Sequence, residues 1–274
     1  MNRKDFLRLS VWGLIGAWSS YLIKGINIAT AREKVVEKTP KIGIIGAMKS
    51  EVDDIKAVMK ITQQAKKADM EFLAGTLEGK EIVLVQCGMG KVNAGICAQI
   101  LIGEFSVTHM INIGVAGALH GGLDIGDIVI STDAVQHDFD VEAIGFRKGE
   151  IPYTGKVSFE ADTNLRQMAV QSVREVLPQI QAVEGRICSG DQFVTSQEEK
   201  ERIIAEFAGY CVEMEGASIA QVCYLNGIPF VILRAMSDKV DGSGHIDFKK
   251  FEKEAAKHSC AIVQWMLKRW KSPK

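Results

Sequence analysis

No two of the six cysteines form a C-x-x-C pair, and no block of basic residues runs through the 274-residue sequence. Structural metal sites and disulfide-dense scaffolds group their cysteines tightly. Cys87, Cys97, Cys188, Cys211, Cys223 and Cys260 are instead scattered singly, several in apolar runs, and read as small buried hydrophobes. A formal net charge of −1 with no basic stripe excludes a nucleic-acid footprint and leaves small-molecule chemistry as the starting point. Internal repeats, low-complexity tracts and linkers rich in proline, glycine or serine are missing too, which leaves one domain. Two nucleotide motifs fail on inspection. Gly90-Lys91 looks like the tail of a phosphate-binding loop, yet Val85 stands where the upstream glycine belongs and Val92 where Ser or Thr belongs. Gly114-Val115-Ala116-Gly117 lacks the G-x-G-x-x-G spacing of a dinucleotide fold. Neither a nucleoside triphosphate nor a nicotinamide cofactor is expected.

What is present fits a soluble enzyme with a sizeable core: 47% of residues are apolar and 24% charged, both ordinary for a globular chain. The first thirty residues stand apart. Arg3, Lys4 and Arg8 precede an apolar stretch from Leu9 to Ile23, and Ala29-Thr30-Ala31 follows, the order of a secretory signal. The basic start resembles a twin-arginine export motif with Lys4 in place of the second arginine. Ordinary secretion and an uncleaved membrane anchor are the alternatives, although Ser19 and Ser20 make the stretch marginal as a span. Residues 1–31 are thus expected to be an export segment that sends the protein to the periplasm, 32–39 a short linker and 40–270 the folded domain.

Within that domain short β-branched runs alternate with longer amphipathic stretches. Strands are predicted at Lys41–Gly46, Ile82–Gln86, His109–Gly114, Asp127–Ser131, Val183–Cys188 and Pro229–Leu233. Helices are predicted at Ser50–Lys60, Val92–Glu104, Asn164–Leu177, Gln197–Glu206, Gly216–Asn226 and Phe248–Trp270. Residues 62–86 read as a hairpin-like pair turning at Glu78-Gly79. The pattern predicts an α/β fold, a single domain with a central mixed β-sheet flanked by helices. Glycine-rich loops are expected at strand ends, at Gly88-Met89-Gly90, Gly114–Gly117 and Ser189-Gly190-Asp191, where ligands of α/β sheets bind.

Three acidic residues stand at such positions. Glu51 lies near a helix start, Glu215 opens the helix that runs to Asn226, and Asp238 follows the strand Pro229–Leu233. Each alone has an ordinary structural explanation, since carboxylates favour first helical turns and Asp favours turns after strands. His137-Asp138-Phe139-Asp140 has no further His/Cys cluster at ligand spacing, so a loop-positioning role is expected there and no metal. His245 follows the glycine-rich stretch Asp241–Gly244, which reads equally as a lid or a plain surface loop.

Seven motifs in order carry a family resemblance. They are KIGIIGAM at 41–48 with Glu51, GMGKVNA at 88–94, GVAG at 114–117, HDFD at 137–140, SGDQFV at 189–194, VEME at 212–215 and RAMSD at 234–238. Together they resemble the nucleoside phosphorylase superfamily and, within it, the 5′-methylthioadenosine/S-adenosylhomocysteine nucleosidases, over essentially all of residues 41–270. The resemblance implies a nucleoside phosphorylase-like fold, a small-molecule nucleoside substrate, a homodimer and no cofactor. It implies Glu51 as the base that activates water and Asp238 as the acid that protonates purine N7. Glu215 is implied on the ribose hydroxyls, with Met89 and Met214 packing on the sugar, Met48 among the substrate-binding residues, Phe193 stacking on adenine and the backbone of Val194 reading its edge. Gly117 is implied where backbone approaches the ligand, and Ser237 and Arg234 as holders of Asp238. Phe248, with Val141, Ile144, Phe146 and Pro152 of a dimer partner, is implied to line the alkylthio pocket.

Glycoside cleavage asks for such a carboxyl pair, one to protonate the leaving group and one to activate water. A purine leaves poorly as an anion, so the acid at Asp238 needs a raised pKa, and neighbouring carboxylates with partial burial are expected to raise it. Phosphorolysis needs cations to hold phosphate; Lys49 is one lysine at a helix start, and hydrolysis is favoured. A purine nucleoside phosphorylase, an aminodeoxyfutalosine nucleosidase and a non-catalytic nucleoside-binding protein are the alternatives.

Overall fold

The unbroken apolar run KIGIIG is the pattern of a strand covered on both faces. In the computed structural model, which describes residues 39–240 and 248–270, it forms β1 (Lys41–Gly46) with Ile42, Ile44 and Ile45 fully buried. Burying each of those side chains contributes about 1.5–3 kcal/mol against conformational entropy. The chain continues through α1 (Lys49–Val58), β2 (Lys60–Lys67), β3 (Met70–Leu77), β4 (Lys80–Gln86), α2 (Lys91–Gly103), β5 (His109–Ala118) and β6 (Ile128–Gln136). Then follow β7 (Ser158–Glu160), α3 (Thr163–Val176), β8 (Ala182–Ser189), α4 (Gln197–Phe207), β9 (Cys211–Glu213), α5 (Gly216–Asn226), β10 (Phe230–Met236) and α6 (Phe248–Arg269).

The sheet is mixed, in the order β10-β6-β8-β9-β5-β1-β4-β3-β2, with β7 on β6. β10 also pairs in parallel with β5, so β5, β10, β6, β8 and β9 close into a ring at one side of the sheet. Helices α2 and α5 pack against each other over one face, and α6 packs on α1 and α3 over the other. All six cysteines are free and buried, as small apolar residues should be.

Four differences from the sequence reading have physical causes. The stretch 62–86 belongs to a three-stranded meander, not a pair. Its outer strand β2, KITQQAKK, is mostly exposed at the sheet edge, so it has little apolar face to betray it, and its lysines suit an unpaired edge. β7 and β9 are three residues each, too short to show a period. Gly114–Gly117 is no loop, because β5 runs on to Ala118. The glycine at 114 answers a close approach instead: a Cβ there would lie 1.8 Å from Arg234 Nη1 and 2.8 Å from Glu51 Oε1. Residues 1–31, the expected export segment, lie outside the described residues.

Candidate active site

The loops that leave β1, β4, β8, β9 and β10 converge with the end of β5 around one cavity of about 710 Å³ of empty space, its open mouth included, a size suited to a small ligand. Glu51, Met48, Met89, Gly117, Phe193, Val194, Met214, Glu215, Ser237 and Asp238 all line it. Met89 and Phe193 stand at the mouth with 63% and 81% of their surface exposed, apolar groups left uncovered beside polar ones. Val194 is buried in the wall.

Each carboxylate is positioned by local backbone chemistry. Glu51 sits at the third position of α1, where free N–H groups call for an acceptor. Its Oε2 accepts from Ala47 N at 2.6 Å and Met48 N at 2.9 Å, and its Oε1 from Val115 N at 3.2 Å. Burial pushes its carboxyl above the usual range, while the Arg234 charge and the three N–H donors pull it back. Glu215 is the N-cap of α5 and accepts from Gly90 N at 2.9 Å. Gly90 has φ +95°, a conformation that glycine alone adopts freely, and it aims that N–H across the cavity. Burial, then the Glu213 charge, push Glu215 up to about 7.

Arg234 does not hold Asp238 as expected, nor does it line the cavity. It is 1% exposed and donates to Glu213, to Asn112 Oδ1 at 2.8 Å and to Ile113 O at 3.2 Å, with Glu215 at 3.6 Å. Burial alone would weaken the cation; the charges of Glu213, Glu215 and Glu51 more than offset this. Glu213, which sequence reasoning passed over, accepts from Arg234, from Ser189 Oγ and from the backbone of Glu215 and Gly216. It satisfies the first turn of α5 and anchors the buried cation at once. The alternation of Val212-Glu213-Met214-Glu215 placed two acids in reach, but only the helix start after Glu215 distinguishes them.

Asp238 also has other neighbours than expected. Ser237 Oγ donates to Ala116 O at 3.1 Å rather than holding the acid. The Asp238 carboxyl accepts from Ala118 N at 2.8 Å through Oδ1 and from Lys200 Nζ at 2.8 Å through Oδ2. The partner is therefore an ammonium, not a second carboxylate. Lys200 is 2% exposed and lies on the buried stripe of α4 with Ile203 and Phe207. A lysine in an apolar stripe at helical spacing was the signal that could have found it.

Asp138 performs the expected loop positioning. It takes Lys91 Nζ at 2.6 Å and Asp191 N at 2.9 Å, and so ties the loop after β6 to the starts of α2 and of the Phe193 loop. His137 is fully buried behind Gly190 with no hydrogen-bond partner at either ring nitrogen. Among the described residues no cluster of His, Cys, Asp and Glu is arranged to hold a metal ion.

Val141, Ile144, Phe146 and Pro152 lie on the connection between β6 and β7 and do not line this chain's cavity; Ile144 is 71% exposed. Phe248 opens α6, with its side chain outside the described part, and His245 lies outside the described residues.

The model of the Phosphorylase superfamily matches residues 41–268. A Bacillus velezensis protein named 5′-methylthioadenosine/S-adenosylhomocysteine nucleosidase is 40% identical over 230 residues, which cover 84% of this chain and 99% of that protein. The fold is similar to the crystal structure of a Campylobacter jejuni protein of the same name, with a TM-score of 0.80 and 32% identity over 84% of this chain and 100% of the other. It is also similar to a Helicobacter pylori futalosine hydrolase, with a TM-score of 0.78 and 34% identity over 85% of this chain and 99% of the other.

Proposed function

Because the chain belongs to the phosphorylase superfamily, we propose that it hydrolyses the N-glycosidic bond of 5′-methylthioadenosine and S-adenosylhomocysteine, releasing adenine and the thioribose. The observation that carries the reading is the convergence of Glu51, Glu215 and Asp238 on one cavity with Phe193 at its mouth. Glu51, held by three N–H donors, takes a proton from the attacking water. Glu215 receives the ribose hydroxyls, Met89 and Met214 cover the sugar, and Phe193 stacks on the adenine. Asp238 gives a proton to N7, so that the purine departs neutral through an oxocarbenium-like transition state.

Hydrolysis rather than phosphorolysis is supported by the lining itself. No lysine or arginine is among the described residues that line the cavity. Lys49, the one candidate phosphate ligand near Glu51, pairs with Asp53 on the exposed face of α1. Purified protein is expected to release adenine from methylthioadenosine equally fast with and without phosphate. Formation of a ribose 1-phosphate, or a requirement for phosphate, would establish the phosphorylase reading. The likeness to a futalosine hydrolase favours a second substrate, aminodeoxyfutalosine, whose bulkier 5′ tail would occupy the same outer pocket. A panel of the three nucleosides ranks them by kcat/KM.

The mature protein is read as a homodimer in which Val141, Ile144, Phe146 and Pro152 complete the partner's tail pocket. Exposed Ile144 and Tyr153 beside the edge-on pair Phe146–Tyr153 support an apolar interface core there. Residues 1–31 are read as a signal that exports the chain and is removed after Ala31. Protein purified from its native host is expected to begin at Arg32 and to sediment as a dimer. A soluble cytoplasmic protein that begins at Met1 would overturn export, an intact N-terminus in membranes would establish an anchor, and an active monomer would overturn the shared pocket.

A further inference from the structure

The proton that Asp238 passes to the purine has to come from somewhere, and the geometry at Asp238 narrows the sources. Both carboxyl oxygens act as acceptors, Oδ1 from Ala118 N and Oδ2 from Lys200 Nζ, each at 2.8 Å. A backbone amide does not release its proton, so of the two protein donors only the ammonium can supply one. Lys200 is 2% exposed, whereas the Asp238 side chain is 36% exposed and faces the cavity. The lysine therefore reaches the reaction only through Asp238. Lys200 Nζ also donates to Lys239 O at 3.1 Å, which pins the chain just past Asp238 as well.

A fully buried ammonium on an apolar helix stripe is expensive unless it is paired. Resting on the reading of Asp238 as the acid, we propose that Lys200 is the positioning residue for Asp238 and the immediate source of the proton that reaches the purine. When a nucleoside fills the cavity it displaces the water that solvates the exposed part of Asp238. Desolvation penalises the charged pair more than the neutral one. The proton then moves from Nζ to Oδ2, leaving Lys200 neutral and Asp238 protonated, and passes on from Asp238 to N7 as the C1′–N9 bond breaks, with the bonding pair leaving on the purine. Water adds at C1′ and gives a proton to Glu51. The protein ends with a neutral Lys200 and a protonated Glu51, and exchange of one proton with solvent at each restores the resting state.

The test separates leaving-group protonation from everything else. Two substrates share the 5-methylthioribosyl group: methylthioadenosine, whose purine needs the proton, and the 4-nitrophenyl riboside, whose phenolate departs without one. Lys200→Met keeps the length of the side chain and removes the proton; Lys200→Arg keeps the charge but holds its protons too tightly to transfer them. Both variants are expected to lose about 10- to 100-fold in kcat on methylthioadenosine with little change in KM, the usual scale for a proton-transfer contribution. Both should turn over the nitrophenyl riboside at close to the rate of the unmodified protein. Equal losses on the two substrates would reduce Lys200 to a structural role, and full turnover of methylthioadenosine by Lys200→Arg would remove it as the proton source. Asp238→Asn is run alongside. If it keeps full turnover of methylthioadenosine, the acid itself is misassigned; if it shows the selective loss while Lys200→Met does not, only the inference about Lys200 fails. Should Lys200→Met not fold, Lys200→Arg decides alone.

Discussion

Asp238→Asn is expected to turn over methylthioadenosine about 10² to 10⁴ times more slowly than the unmodified protein, with ligand affinity little changed. The amide fills the same space and can still donate a hydrogen bond to N7, but it cannot hand over a proton. It has one oxygen where the carboxylate has two, so it can keep either the Ala118 N–H or the Lys200 ammonium as a donor, not both. Glu51→Gln should lose turnover on a similar scale by removing the base. That variant should also be less stable by about 1 kcal/mol, because one amide oxygen replaces two that together accept three backbone N–H groups at the start of α1. Both residues act in one transition state, so the double variant should lose far less than the product of the single losses. Steady-state rates on the four proteins, with affinity for a non-hydrolysable analogue measured by calorimetry, check this. A fully active Asp238→Asn protein would sink the mechanism, and fully multiplicative losses would mean that the two groups act independently.

The largest effect on stability is expected at Arg234. Its guanidinium is the cation among Glu213, Glu215 and Glu51, and all four side chains are buried. Arg234→Met keeps most of the volume and leaves those carboxylates with no nearby cation. Removing one partner of a buried charge pair costs about 3–5 kcal/mol, chiefly because the other is left unpaired. The loss should depend on pH with a definite sign. Glu215, pushed up to about 7 by burial and then by the Glu213 charge, and Glu51, raised by burial, bind protons more tightly folded than unfolded. Their contribution to stability is therefore fully present below the unfolded value of 4.5; that of Glu215 is lost as pH rises through about 7, and that of Glu51 as pH rises through its own raised folded value. Removing the cation raises the folded values further, so urea unfolding should show a larger deficit for Arg234→Met at pH 8 than at pH 5. A deficit under about 1 kcal/mol, or one that grows on acidification, would show that the cluster is not held together by Arg234.

The reason Arg234 was legible as a site residue but not in its role is instructive. The family resemblance, through the RAMSD motif, implied Arg234 as a holder of Asp238, four residues further on. Arg234 lies within β10, whereas Asp238 lies beyond the end of that strand at Met236, where the chain has left the sheet. Arg234 therefore meets what lies across the sheet, namely Glu213 on β9 and Asn112 on β5, while Asp238 meets Lys200 on α4 and the backbone of Ala118. The same logic applies to Gly114, whose lack of a side chain looked like a loop signal and turned out to leave room for the Arg234 guanidinium inside a continuous strand.

The amino-acid sequence by itself determined the α/β alternation, the position of nearly every long strand and helix, and the family to which the chain belongs. It did so because those features are written locally, in apolar periodicity and in short contiguous motifs. Through its family motifs it also pointed to ten of the residues that line the cavity, though not to Glu213 among them. The tertiary structure alone decided which charges neutralise one another: that Glu213 rather than Asp238 takes Arg234, that Lys200 stands behind Asp238, and that Asp138 ties two loops through Lys91 and Asp191. Such pairs join residues 21 to 53 positions apart. The energy of a buried ion pair depends on a few ångströms of separation in a low-dielectric interior, a quantity that residue spacing along the chain does not carry.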